Sequence, residues 1–416
     1  MPADTAIENE GQALLGITVL DFTRVLAGPF ATLILADLGA EVIKVELPGH
    51  GDEARGFGPF VSPGDAGHDD ESGVGDSAYF ASVNRGKASV TLDLRTDKGR
   101  EIALRLTQTA DVLVENFRPG SMARFGLDFD AVHVRNPRLV YASISGFGQT
   151  GPYSRRPAYD VIIQAMSGLA SVTGHPGQPP IRVGSSTADL SAALFSVIGI
   201  LAALRQVEAG GTGQHLDVSM LDCQVALLEN AIARHDVNGE VPVPLGSRHP
   251  AITPFQFFPA RDGYVVVAAG NNRLWDTLCR ALERPDLVDD PRFASNALRT
   301  ENHAVLESEL EQIFVRRGVD DWLEDLEAAG VPCGPVNDLA RVVHDPHIAA
   351  RGMLARTKLP GGGTLVVPAS PLRSSSQPTR GVSSPPELGE HTEEILSQRL
   401  GIDQDEIAEL RRVGVI

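Results

Sequence analysis

Residues 17–46 constrain the fold more than any other stretch. Residues 17–22 (ITVLDF) are a short apolar run that predicts a buried strand, and 24–29 read as a turn. Residues 30–38 (FATLILADL) predict a helix with Pro29 at its first position and Gly39 at its end, and 41–46 (EVIKVE) predict the next strand. Strand, short loop, helix and strand within 30 residues form a βαβ unit, which implies a parallel sheet.

The rest of the chain extends this pattern. Residues 47–77 are rich in Gly, Pro and acids and predict a loop that could act as a flap. Residues 79–94 (YFASVNRGKASVTLDL) bring a predicted strand with a basic loop, Arg85 and Lys87, just before it. Residues 96–110 read as an amphipathic helix capped by Thr96, and 111–115 and 139–145 as further strands. In the middle of the chain a strand is predicted at 263–270, with helices at 276–283 and 321–330. The C-terminal part predicts a proline-rich extended segment at 368–386 followed by two capped helices. A length of 416 residues exceeds one ordinary core, so two domains are expected.

The loop after the first strand, TRVLAGP, lacks G-x-G-x-x-G, and no G-x-x-x-x-G-K-[ST] occurs, so neither a dinucleotide nor an ATP fingerprint is present. The loop still falls at the carboxyl end of its strand, where such sheets bind ligands. A net charge of −18 disfavours nucleic acid and anionic membranes as partners, while an anionic small substrate would need a local basic pocket. Cys223, Cys279 and Cys333 are widely spaced and form no disulfide framework or metal-ligand pattern, so no metal is expected. The first residues show no secretory signal, and the longest apolar run, 192–204, is shorter than the roughly 20 residues of a membrane span. A reducing cytoplasm is the expected location.

Two acids stand out in 157–205, which reads as two apolar helices joined by a Gly/Pro/Ser-rich loop. Ser185, Ser186 and Thr187 are cap-forming residues, and Asp189 falls in the first turn of the second helix. It is either a cap for orphan N–H groups or a working carboxylate. Asp160, in the first turn of the preceding helix, is the rival acid and reads equally as a cap. Arg118 and Arg124 beside Phe117 and Phe125 suit a purine and its phosphates, or an ordinary surface turn.

Several segments in order carry a family resemblance: VLDFTRVLAGPFATLILADLGAEVIKVE, SVNRGKASVTLDL, DVLVENFRPG, LVYASISGFGQTGPY, PAYDVIIQAMSGL, TADL, GYVVVAAGNN, AGVPCGPVNDL and LGEHTEEIL. They resemble the family III CoA-transferases, a group that also contains 2-methylacyl-CoA racemases, and within it the transferases of succinyl and glutaryl groups. The resemblance implies an interlocked homodimer of α/β chains. Each chain would have a Rossmann-like large domain from both chain ends (1–200 and 335–416) and a smaller α/β domain at 217–330, with linkers at 201–216 and 331–334. CoA and acyl-CoA would be substrates, with no permanently bound cofactor.

Carried over by motif, Arg24, Val25, Ala27, Asn116, Phe117 and Arg124 would line the CoA site, with Lys87 and Arg55 as phosphate partners and Tyr159 close by. The T-G-x-x-D aspartate of the oxalate and carnitine branches is replaced by Gly177. The T-x-D-L aspartate, Asp189, therefore becomes the expected nucleophile, with Asp160 second. It would attack an acyl-CoA thioester and pass through an anhydride and an aspartyl-CoA thioester. Oxyanion donors could come from Gly270 and Asn271 or from the SISGFG loop, unless these glycines serve only as turns. Arg248 and His249 could hold the distal carboxylate of a dicarboxylic acid, although Arg248 also fits a surface salt bridge.

A racemase is the alternative. It pairs Asp189 with a histidine where this chain has Tyr159, and a phenol with a pKa of about 10 is a poor base for an α-proton. A non-catalytic CoA-binding protein would tolerate loss of Asp189, and a purely structural protein would bind no CoA.

Overall fold

The structure, a computed structural model, describes residues 12–62, 75–375 and 381–416. The chain divides into two compact units, one of Met1–Leu169, Val183–Asn230 and Pro346–Ile416, the other of Ala170–Arg182 and Ala231–Asp345. The first is built on a sheet of β1 (Thr18–Asp21), β2 (Glu41–Glu46), β3 (Ala88–Thr91), β4 (Val112–Glu115), β5 (Val140–Ser145) and β6 (His215–Ser219). All five pairings are parallel, in the order β3-β2-β1-β4-β5-β6. The chain winds outward from β1 to β3, then returns to β4 and winds outward the other way. The loops leaving β1 and β4 therefore diverge at their carboxyl ends and open a crevice there.

Alternation along the strands feeds two cores. Val19, Val42, Val114 and Ala142 pack against α1 (Ala27–Asp37) and α5 (Thr187–Glu208). On the opposite face Leu20, Ile43, Leu113 and Tyr141 meet α3 (Asp97–Thr107), α10 (Thr392–Leu400) and α11 (Gln404–Arg412). Thr96 starts α3 by accepting the Gly99 N–H, and Ile102 and Leu106 are the buried i, i+4 pair on its inner face. Leu396, Ile407 and Leu410 bind the C-terminal helices to the same core, each buried side chain contributing about 1.5–3 kcal/mol.

Between these elements lie α2 (Ala78–Asn84), α4 (Asp160–Met166) and α6 (Met220–Ala226). Residues 79–84 are thus helical, where no helix was expected, and the expected strand follows the basic loop as β3. Ser77 accepts the Phe80 N–H as N-cap, and Phe80, Ala81 and Val83 turn inward, so capping and burial outweigh β propensity. Similarly, α1 begins at Ala27, which moves Pro29 to the third helical position. The predicted flap at 47–77 contains a 3-10 turn, Glu53–Gly56, and a short pairing of Phe60–Val61 with Asp76–Ser77; its residues 63–74 lie outside those described.

The unit boundaries differ from the expected ones as well. Residues 201–216 are no linker, because α5 runs to Glu208 and His215 already pairs with Tyr141. The expected start of the small domain, Asp217, lies inside β6, where its backbone completes the parallel ladder. The second unit is an antiparallel sheet of β7 (Phe255–Ala260), β8 (Gly263–Ala268) and β9 (Cys333–Pro335). Around it α7 (Asn272–Ala281), α8 (His303–Phe314) and α9 (Val319–Ala329) enclose Phe258, Trp275, Phe314 and Trp322.

α5 is 22 residues long and apolar enough by composition to cross a bilayer, but half of that stretch is buried in its own unit. Ala188, Ala192 and Ile200 face the sheet, while Leu194 and Ile198 remain exposed, Ile198 at 61%.

Candidate active site

At the carboxyl end of β1, Asp21 is fully buried. Its Oδ1 accepts the Thr23 N–H at 2.8 Å, and its Oδ2 accepts the Thr32 hydroxyl at 2.6 Å and the Lys87 ammonium at 2.9 Å. Burial alone would push the Asp21 carboxyl up, yet Lys87 and Lys44 hold it well below the usual carboxylate range. Lys44, reaching across from β2, donates to the Thr23 carbonyl at 2.9 Å and pairs with Asp52 at 2.8 Å. The Asp52 Oδ1 accepts the N–H groups of Val25 at 3.0 Å and Ala54 at 2.9 Å.

This network fixes the first loop. Val25 sits at φ +67°, a conformation that costs a β-branched residue about 1–3 kcal/mol and is held here by its bond to Asp52. Gly28 is required because a Cβ there would lie 2.2 Å from that of Thr23.

Across the crevice, the Asn116 side chain joins the β1 and β4 loops by accepting the Arg24 N–H and donating to the Arg24 carbonyl, both at 2.8 Å. The Arg24 guanidinium lies 4.7 Å from the Phe117 ring centre, and Phe117 meets Phe125 edge-on at 6.3 Å. Arg124 donates to the Ser121 hydroxyl at 2.9 Å. Arg24, Val25, Ala27, Asn116, Phe117 and Arg124 thus all belong to the loops and first helical turns around this crevice. The structure departs from expectation at Lys87 and Arg55. The three Lys87 donors are occupied by Asp21, the Pro29 carbonyl and Asn84. Burial pulls its pKa down to about 8. Arg55 grips Glu46 through Nε and Nη2 at 2.7 Å, reaches the Pro386 carbonyl and stacks on Phe80, so its donors face inward. Both are floor residues: Lys87 has no donor left over for a phosphate, and Arg55 has most of its donors turned to Glu46 and Pro386.

The two acids behave differently. Asp160, buried at the start of α4, does not cap its own helix. Its Oδ1 accepts the Ala188 N–H at 2.9 Å and so caps α5, while its Oδ2 accepts the Gln164 amide at 2.8 Å. Gln164 also accepts the Val183 N–H at 2.8 Å, which fixes the approach to α5. With its helix already capped, Asp189 in the first turn is free of that role. No described residue donates a hydrogen bond to its carboxylate or forms an ion pair with it, and the N-cap Ser186 makes no side-chain cap bond. Asp189 is half-buried; burial first, and the Asp160 charge second, push its pKa up to about 7. α6 braces the same turn, the Gln224 amide donating to the Thr187 carbonyl and the Ser191 hydroxyl, both at 3.0 Å.

Tyr159, 71% exposed at the N-cap position of α4, is no buried base beside Asp160. Tyr79 escaped sequence reasoning. Burial, then the charges of Asp189 and Asp52, raise its phenol pKa, so it lies within electrostatic reach of Asp189. Its signal was hidden because no helix was expected at α2. Lys44 and Asp52 were also missed, although a lysine between Ile43 and Val45 in the apolar run of EVIKVE points to a buried strand.

The remaining expected residues lie in the second unit. The Arg248 guanidinium forms no hydrogen bond or ion pair with a described residue, and the His249 Nδ1 accepts the Ala251 N–H at 3.1 Å. The Gly270 carbonyl accepts from the buried Arg299 at 2.7 Å, and the Asn271 side chain caps α7 through the Leu274 N–H at 2.8 Å. In the first unit Gly146 permits a close approach, since a Cβ would lie 2.4 Å from that of Ala158.

Comparison with known proteins points the same way. The sequence profile described as CoA-transferase family III matches residues 14–392. The chain is 44% identical over 361 residues to the acetyl-CoA:oxalate CoA-transferase of Acetobacter aceti, covering 86% of this chain and 88% of that one. It is 38% identical over 409 residues to the succinyl-CoA:glutarate CoA-transferase of Homo sapiens, covering 98% and 91%. Among solved structures, a CAIB/BAIF family protein from Brucella suis superposes with a TM-score of 0.81 at 40% identity, covering 93% of this chain and 99% of that one.

Proposed function

This chain belongs to CoA-transferase family III, and on that premise we propose that it moves CoA between small dicarboxylic acids, with Asp189 as the nucleophile. The observation that carries this assignment is the division of labour between the acids: Asp160 is tied at both oxygens, whereas Asp189 is held in place and has no hydrogen-bond or ion-pair partner for its carboxylate among the described residues. A basic carboxylate in a partly desolvated site is a better nucleophile than one neutralised by a cation.

In the proposed cycle the Asp189 carboxylate attacks the thioester carbonyl of the donor acyl-CoA, forming a mixed anhydride and expelling CoA thiolate. The thiolate attacks the aspartyl carbonyl, which releases the donor acid and leaves an aspartyl-CoA thioester. The acceptor carboxylate attacks that thioester, again expelling thiolate and forming an anhydride with Asp189. The thiolate then attacks the acceptor acyl carbonyl, giving the new acyl-CoA and regenerating Asp189. Each step builds an oxyanion, and the close backbone around Gly146 is a candidate donor for it. The Arg24–Phe117 stack and Asn116 would hold the nucleotide of CoA. The uncommitted guanidinium of Arg248, beside His249 in the second unit, is chemically suited to a carboxylate.

The relatives named for oxalate and glutarate support the dicarboxylate class. A homodimer is part of this reading, because α5 leaves Leu194, Phe195, Ile198 and Leu201 uncovered in the single chain. The three free thiols suit a reducing cytoplasm.

Hydroxylamine tests the cycle. Added during turnover with succinyl-CoA and a dicarboxylic acid, it would convert an aspartyl-CoA thioester into a hydroxamate on the peptide bearing Asp189. A hydroxamate on the Asp160 peptide would move the nucleophile, and α-deuterium uptake from solvent without any adduct would favour proton-transfer chemistry instead.

A further inference from the structure

A row of polar groups runs across the carboxyl ends of three neighbouring strands, on the face opposite Asp21. Glu115 of β4 is in register with Ser143 of β5, and Ser143 with Asp217 of β6. Glu115 and Ser143 are buried, at 4% and 2% exposure. The Glu115 Oε2 accepts the Phe117 N–H at 2.8 Å. The Ser143 hydroxyl, which also interacts with the Glu115 carboxylate, shares a hydrogen bond of 2.9 Å with the His215 Nε2. His215, exposed on the edge strand, stacks on Phe129 at 5.4 Å and meets Tyr141 edge-on at 5.3 Å. Asp217 accepts the Gln149 N–H through both oxygens, at 2.9 and 3.0 Å.

No described cation pairs with Glu115. The nearby Arg24 is directed over Phe117 and toward Glu53, and Lys87 is held by Asp21. The groups facing the Glu115 carboxyl are Asp217 and His215 from β6 and Tyr141 from β5, with Asp128 and Asp130 acting on the latter two. A buried carboxylate that lacks a cation but carries a backbone N–H is costly to keep, and its one directed contact fixes the turn on which Asn116 and Phe117 sit.

We infer that Glu115 is a positioning residue for CoA: ionised, it anchors the Phe117 N–H and sets the Arg24–Phe117 shelf, and protonated, it lets that shelf loosen. The inference rests on the reading of the shelf as the nucleotide site. Burial, together with Asp217, raises the Glu115 pKa to about 7, so the anchor is charge-assisted above that value and reduced to a neutral hydrogen bond below it. The row can accept the proton without stranding a donor. A Glu115 O–H would donate to Ser143, whose own O–H would turn to the His215 Nε2, provided the imidazole carries its hydrogen on Nδ1.

The test is the affinity for CoA of the wild type and of Glu115→Gln, titrated between about pH 6 and about pH 8.5. Gln keeps an acceptor for the Phe117 N–H but cannot ionise, and taking the ratio of the two dissociation constants cancels the titration of CoA itself. The ratio is expected to be about five-fold at the alkaline end and to fall to about one at the acid end. Asp217→Asn, which removes the like charge, should move the wild-type step to lower pH and serves if the glutamine variant fails to fold. A ratio that does not vary with pH overturns the role of Glu115 and leaves the CoA reading intact. A wild type that binds no CoA overturns both.

Discussion

The floor of the crevice and the mouth of α5 treat charge in opposite ways. Under the β1 loop, Asp21, Lys44, Asp52, Glu46, Lys87 and Arg55 are each held by at least one opposite charge. Asp21, Glu46 and Asp52 are kept below their ordinary pKa values and Lys44 above its own. At α5, by contrast, Asp189 has no cation and a like charge beside it, and is pushed up to about 7. Paired buried charges give geometry, such as the Val25 backbone, whereas an unpaired one retains reactivity.

The sharpest way to break this contrast is Asp189→Asn. Transfer activity should fall by at least about 10³-fold, with CoA affinity retained. Its stability should move the other way. A carboxyl raised in the folded state favours folding fully below its unfolded pKa, and this contribution is lost as pH rises through the folded value of about 7. Asp189→Asn should therefore match the wild type near about pH 4 and exceed it by on the order of 1 kcal/mol at about pH 8, measured by denaturant melts.

Next comes Lys44→Met, which leaves Asp52 buried without its cation. A loss of about 3–5 kcal/mol is expected, together with weaker CoA binding as the Val25 N–H loses a fixed partner. The lowered pKa values of Asp21, Glu46 and Asp52 add that wild-type stability is present above their unfolded values of about 4 and drains away as pH falls below them. A Lys44→Met protein as stable as the wild type at neutral pH would remove the floor from this account.

The smallest effect belongs to Asp160→Asn. Asn keeps an acceptor for the Ala188 N–H, so the rate should drop less than about 10-fold. Without the neighbouring charge, the acid limb of the kcat/KM profile, which the wild type should show near about 7, moves to lower pH. An unmoved limb would mean that Asp160 does not act on Asp189.

Much of this was legible in the sequence. The βαβ unit, the parallel sheet, the first-turn position of Asp189 and the crevice residues Arg24, Asn116 and Phe117 follow from periodicity, capping residues and motif. Helix α2 was not legible, because its short aromatic and β-branched run shows no helical signal until Ser77 is seen capping it. Nor were the roles of Lys87 and Arg55. A basic residue in a loop suggests a phosphate, and only the fold shows Asp21 and Glu46 already facing them. The residues alone left both acids as possible caps, since the hydrogen bond by which Asp160 caps α5 joins it to a backbone N–H 28 residues away.

The most direct test of the central claim follows oxygen. In the proposed cycle, an acceptor acid labelled with 18O in its carboxylate leaves one labelled oxygen on the nucleophilic aspartate at each turnover. Tryptic cuts after Arg182 and Arg205 place Asp189 on a different peptide from Asp160. Label accumulating in the Asp189 peptide alone is the predicted result, and label in the Asp160 peptide, or none in either during sustained turnover, would contradict the account.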